Sequence, residues 1–191
     1  MDDIWIRIED WLKENALEVL DNLLPGATRD AIRATETALG VTLPDDVVAS
    51  YLMHDGQDNY SPALMGEWQL LSIEEVAYQW DIMRGLLLAN DEVAADIDRA
   101  DTMGLVRPYW WDLRWVPVAH DGGGDLCCVD LDPGSGGTVG QMTTFWHMDE
   151  ERELLAPSFR DWLSGYADDL EQSKYTVRRE GWITKIVRVD G

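Results

Sequence analysis

Apolar residues recur at helical spacing near the start of the chain. Trp5, Ile8, Leu12, Val19 and Leu23 fall on one face and predict an amphipathic helix over residues 4–24, ended by Pro25-Gly26. Thr28 is placed to cap a second helix that turns Ile32 and Leu39 inward and stops at Gly40. Leu43-Pro44 opens a third short helix through Val48, Tyr51 and Leu52, with Gly56 as its expected stop. Residues 57–66 read as a polar loop and Trp68-Gln69-Leu70-Leu71 as a strand. Ser72-Ile73-Glu74-Glu75 is a capping box, and the helix behind it points Ile73, Val76, Trp80, Met83 and Leu87 inward. Residues 91–107 are acidic and read as a short helix or an insert.

The pattern then changes from a period near 3.6 to short apolar runs between turn residues. Trp115-Val116-Pro117-Val118-Ala119 predicts a strand, with Pro117 marking an edge or a bulge. Gly122-Gly123-Gly124 turns the chain into a strand over residues 126–131, and residues 133–137 turn it again into a strand over 139–146. Ser158 caps a last helix through Phe159, Trp162, Leu163, Tyr166 and Leu170. Residues 175–189 read as one strand or a hairpin about Glu180-Gly181. Helices first and a meander later predict an α+β fold, with residues 1–173 as one domain and residues 174–191 as a basic appendage of it.

Composition sharpens this picture. The chain has 191 residues, 46% of them apolar, enough for one sizeable core. Ten Trp against two Phe place indole N–H groups at core edges, where they can find partners. Fifteen basic residues face 37 acidic ones, a net charge of −22. Such a surface repels nucleic acid and anionic membranes and attracts basic proteins. The charge is uneven: Lys174, Arg178, Arg179, Lys185 and Arg188 outnumber Glu180 and Asp190 in the tail, which is expected to fold back on the acidic body. Cys127 and Cys128 are adjacent, so their Cα atoms sit too close for an ordinary disulfide. That usage, and a start at Met1-Asp2-Asp3 without a basic or apolar leader, point to the cytoplasm.

Candidate chemistry is sparse. The Gly122–Gly124 run has Asp121 and Asp125 on either side and neither the Lys nor the Ser/Thr of a phosphate loop, so a tight turn is expected. His120, Asp121, Asp125, Asp130 and Asp132 are close in sequence, but without calcium-loop or zinc-helix spacing. No G-x-S-x-G elbow occurs. No cofactor, metal or catalytic residue is expected.

Several blocks together resemble a known family. Glu36, Leu39-Gly40, Leu43-Pro44-Asp45, Tyr51 and Asp55-Gly56 resemble the front signature of SUKH proteins, with Asp55 where Asn is usual. Leu71 to Glu75 followed by Trp80 is similar to the next block. The run from Trp115 to Ala119, then Asp121-Gly122, Gly124-Asp125 and Asp130, resembles the family's central block. Gly140, His147, Ser158-Phe159 and Trp162-Leu163 resemble its end. The resemblance implies a mixed or antiparallel sheet flanked by helices. It also implies a non-catalytic role, because the family holds bacterial immunity proteins that neutralise toxins, many of them nucleases, and fungal cell-wall regulators of the Smi/Knr type. An immunity role against a toxin with a basic surface is the leading expectation. A regulatory scaffold is the alternative, and a hydrolase or metal enzyme the third. The expected partner-binding residues are loop-borne acids (Asp58, Glu67, Asp91, Glu92, Asp96, Asp98, Asp101, Asp121 and Asp125) and the aromatic run Tyr109, Trp110 and Trp111.

Overall fold

Asp2–Asn15 forms α1, which buries Ile4, Trp5, Ile8 and Leu12. The computed structural model describes residues 1–58, 62–89, 104–149, 151–181 and 183–189. The helix expected to reach residue 24 breaks at Ala16, whose φ of −148° and ψ of 61° are not helical. A single turn, α2 (Leu17–Leu20), follows, and then a strand, β1 (Leu23–Pro25). The apolar spacing carried past the break because Val19 stays buried on the same side. No Gly or Pro marks the break in the sequence.

Thr28 caps α3 (Arg29–Leu39) by accepting the Ala31 N–H, and Gly40 ends it in the left-handed region at φ 68°. The third helix, α4 (Asp45–Tyr51), stops at Leu52 without a glycine. Gly56 instead lies inside β2 (His54–Gln57), which pairs with β1. A Cβ there would lie 2.4 Å from the backbone carbon of Leu71, so glycine serves a close approach between two chain segments. The expected polar loop that follows contains Leu64 and Met65, both buried. β3 is short (Gln69–Leu70). The capping box forms as expected: Glu75 accepts the Ser72 N–H at 2.8 Å, and Ser72 Oγ accepts the Glu75 N–H at 3.3 Å. It opens α5 (Ile73–Ala89).

The main sheet adds β4 (Trp115–His120), β5 (Leu126–Asp130), β6 (Gln141–Phe145) and β7 (Leu154–Ala156). Its order is β3-β4-β5-β6-β7, and every pairing is antiparallel. Pro117 sits at a register shift, where it removes no needed ladder donor. Cys127 and Cys128 point to opposite faces and both are buried, so the sheet is covered on both sides. α5 packs on β4, and α6 (Phe159–Glu171), capped by Ser158, packs on β6 and β7. β8 (Tyr175–Glu180) and β9 (Ile183–Arg188) form a separate antiparallel hairpin.

Candidate functional site

The polar residues that carry the family resemblance are occupied inside the fold. Glu36 accepts the Leu43 N–H at 2.8 Å, which ties α3 to the start of α4. Asp55 accepts the Ile73 N–H at 2.7 Å and so caps α5 from another strand. Tyr51 donates its hydroxyl to the Leu71 carbonyl. Asp121 Oδ1 accepts three N–H groups, from Gly123, Gly124 and Asp125, at 2.7, 3.0 and 2.9 Å. Those are the donors a phosphate would need, and a carboxylate of the chain already holds them. Asp125 accepts from the His147 N–H and contacts its ring Nδ1, both at 2.7 Å.

Asp130 is fully buried at the end of β5. Its carboxylate accepts from Asp132 N at 3.0 Å and from Gln141 Nε2 at 2.9 Å. Burial pushes its pKa up to about 6, against the lowering effect of those hydrogen bonds. Burial likewise raises both cysteine thiols, which removes them from nucleophilic chemistry near neutral pH. Among the described residues no group of three or more His, Cys, Asp and Glu side chains is arranged to hold a metal ion. Among them, too, no helix is long and apolar enough to cross a membrane.

The structure separates the expected partner-binding residues. Asp91, Glu92, Asp96, Asp98 and Asp101 lie outside the described residues. Trp111 is a core residue, 3% exposed and edge-on to both Trp115 and Phe145. Trp110 stands edge-on to Phe145 and, like Tyr109, is half-buried against the core, so this run packs the sheet more than it projects. Asp58, Glu67 and Asp121 line two grooves at the β3–β4 end. Glu67 and Asp121 line a groove of about 620 Å³ beside Trp68 and β9. Asp58 lines a second groove, of about 680 Å³, with Glu74, Glu75, Tyr78 and His120. Neighbouring residues His120 and Asp121 thus face one groove each.

The second groove is electrostatically one-sided. Its described lining has three carboxylates and no Lys or Arg. Asp55, close by, has its carboxyl pKa raised by burial first and then by Glu75 and Glu74, despite the hydrogen bond from Ile73. His120 Nε2 is shielded from solvent and has no hydrogen-bond partner among the described residues. One rim continues along α5 as an exposed apolar line, Tyr78, Ile82 and Leu86, spaced four residues apart. Sequence reading passed over these three. The signal was a second set of apolar positions on a helix whose first set, Ile73, Val76, Trp80 and Met83, already fills the core.

The family model described as "SMI1 / KNR4 family (SUKH-1)" matches residues 26–165. The chain is 32% identical over 184 residues to the "Cell wall biosynthesis/cell cycle regulator smi1" of Schizosaccharomyces pombe, across 91% of the chain and 36% of that protein. It is 24% identical to the "Glucan synthesis regulatory protein" of Neurospora crassa, across 91% of the chain and 39% of that protein. It is 23% identical to the "Cell wall assembly regulator SMI1" of Saccharomyces cerevisiae, across 90% and 40%. The chain therefore spans well under half the length of these curated relatives. All three are described as regulators, which overturns the expected toxin-neutralising immunity role. The signature residues could not have decided between the two roles, because Glu36, Asp55, Asp121 and Asp125 serve the fold. By its family match and this architecture, the chain belongs to the SMI1/KNR4 family (SUKH-1).

Proposed function

We propose that this chain is a protein-binding regulatory domain of the cell-wall-assembly-regulator type, which works by holding partner proteins and carries out no turnover of its own. The observation that carries this reading is the likeness to fungal cell-wall regulators over about nine tenths of the chain. The site chemistry is consistent with it. The polar groups of the Gly122–Gly124 turn are spent on internal hydrogen bonds, and the thiols are buried. Its partners present basic surfaces, since a net charge of −22 speeds encounter with them and slows encounter with acidic ones. It works inside the cell, in keeping with two free, buried cysteines.

The test is a chimera. The matched segment of the Schizosaccharomyces pombe relative is replaced by this chain and scored for growth under agents that stress the cell wall. Restored growth is the expected result. A chimera that accumulates to normal levels but grows no better than a deletion would overturn the reading.

A further inference from the structure

We propose that the exposed face of α5, with the acidic groove at its N-terminal end, is the docking surface for a basic amphipathic helix of a partner protein. The inference rests on the regulatory-binding reading and names its surface and the chemistry of its partner.

α5 uses Ile73, Val76, Trp80 and Met83 to pack against the body of the protein. A helix that needs no more than this is polar on its other side. Here the other side carries Tyr78, Ile82 and Leu86, which are 69%, 39% and 51% exposed. Their spacing of four places them in a line on the helix surface, the pattern that receives the apolar ridge of a second helix. Gly85 lies beside the line, and a Cβ there would meet nothing within 4 Å, so a partner backbone can come close.

Charge selects the occupant. Glu74 continues the same line one turn before Tyr78, is exposed, and has no ion-pair partner among the described residues. Glu75 and Asp58 lie in the adjoining groove, whose described lining holds no cation. A second copy of this chain would bring the same acids and the same excess negative charge to the interface, which disfavours self-association. A helix with Lys or Arg flanking its apolar ridge would meet Glu74 and Glu75 with opposite charge. Tyr78, at the junction, offers a ring face to a cation as well as an apolar contact.

The experiment uses the full chain and a labelled synthetic helix of Leu and Lys with leucines on one face. Two control peptides accompany it, one with the same residues in scrambled order and one with Glu in place of Lys. Fluorescence anisotropy should show saturable binding of the first peptide and much weaker binding of both controls. Ile82→Ser and Leu86→Ser should each weaken it by about tenfold or more. Glu74→Lys should weaken it less, with much of that loss absent at about 1 M salt, where the screening length is about 3 Å. All three residues are exposed, so the thermal midpoints should stay at the wild-type value.

Equal binding of the scrambled peptide, or binding untouched by Ile82→Ser and Leu86→Ser, would overturn the proposal. So would a dimer in sedimentation that Ile82→Glu dissolves, since the face would then belong to a second copy. The cell-wall chimera is read separately. If it rescues growth while the peptide assay fails, this surface is wrong and the regulatory reading stands.

Discussion

The central strands and the C-terminal hairpin are both antiparallel, yet they are held by different forces. In β4, β5 and β6 nearly every residue is buried, and the one buried charge, Asp130, is hydrogen-bonded on both carboxylate oxygens. In the hairpin of β8 and β9 most side chains are exposed. Its attachments to the body include Ile186, buried beneath it, Tyr175 edge-on to Tyr166 at 5.2 Å, ion pairs to Glu18 and Asp169, and a hydrogen bond from Thr184 to Glu18. Burial is non-directional and is not screened by salt, whereas exposed ion pairs weaken as salt rises. The same strand geometry should therefore give a rigid global core in one region and a separable flap in the other.

The strongest way to break this contrast is to open the sheet. Trp115 begins β4, is fully buried and stands edge-on to Trp111. Trp115→Ala should cost about 3–5 kcal/mol, from lost burial and the cavity left behind. Urea unfolding followed by far-ultraviolet circular dichroism measures this. A loss below about 1 kcal/mol would mean that the sheet is not the cooperative centre.

The places where sequence reading succeeded and failed follow the same division between local and tertiary causes. The Ser72–Glu75 box and the Gly40 stop were legible because their partners lie within a few residues along the chain. The strand from Trp115 was legible because a run of buried residues needs no partner to be recognised. Gly56 was misread as a helix stop because its reason, the backbone of Leu71, lies fifteen residues on. The strand β7 is three residues long and carries too little pattern to find. Acids chosen for their loop positions divided in two. Asp121 and Asp125 became internal acceptors, Asp121 while also lining a groove with Glu67, and Asp58 lines the other groove. Exposed Tyr78, Ile82 and Leu86 were missed because an apolar residue on a helix is taken for core until its exposure is known.

The buried carboxylate should make the stability of the sheet depend on pH. The Asp130 pKa is about 6 in the folded chain and close to the ordinary value of 3.8 when unfolded. Between those values the folded state holds the proton and the unfolded state does not. The stabilising protonation is complete below about pH 4 and lost as pH rises through about 6, an effect on the order of 3 kcal/mol. Many other acids titrate in the same window, so the informative quantity is wild-type stability minus that of Asp130→Asn. That difference should grow in favour of the wild type as pH falls from 7 to 4. A flat difference would show that Asp130 titrates like an exposed acid and that the sheet end is open to water.

The smallest effect should come from the hairpin, and it should be local. Arg179 Nε lies 3.0 Å from Glu18 Oε1, which also accepts from Thr184 Oγ1 at 2.7 Å. Arg179 and then Thr184 hold the Glu18 pKa near 2, below its ordinary 4.5. Its contribution is therefore present above about pH 4.5 and lost as pH falls through about 2. Both partners are substantially exposed, so solvent and salt screen them and the global unfolding midpoint should barely change in Glu18→Gln. The hairpin amides should nonetheless exchange several times faster, because closing the flap and unfolding the sheet are separate events. High salt should produce the same local acceleration in the wild type and add little in the variant. If Glu18→Gln instead lowers global stability as far as Trp115→Ala does, hairpin and sheet form one cooperative unit and the contrast between them fails.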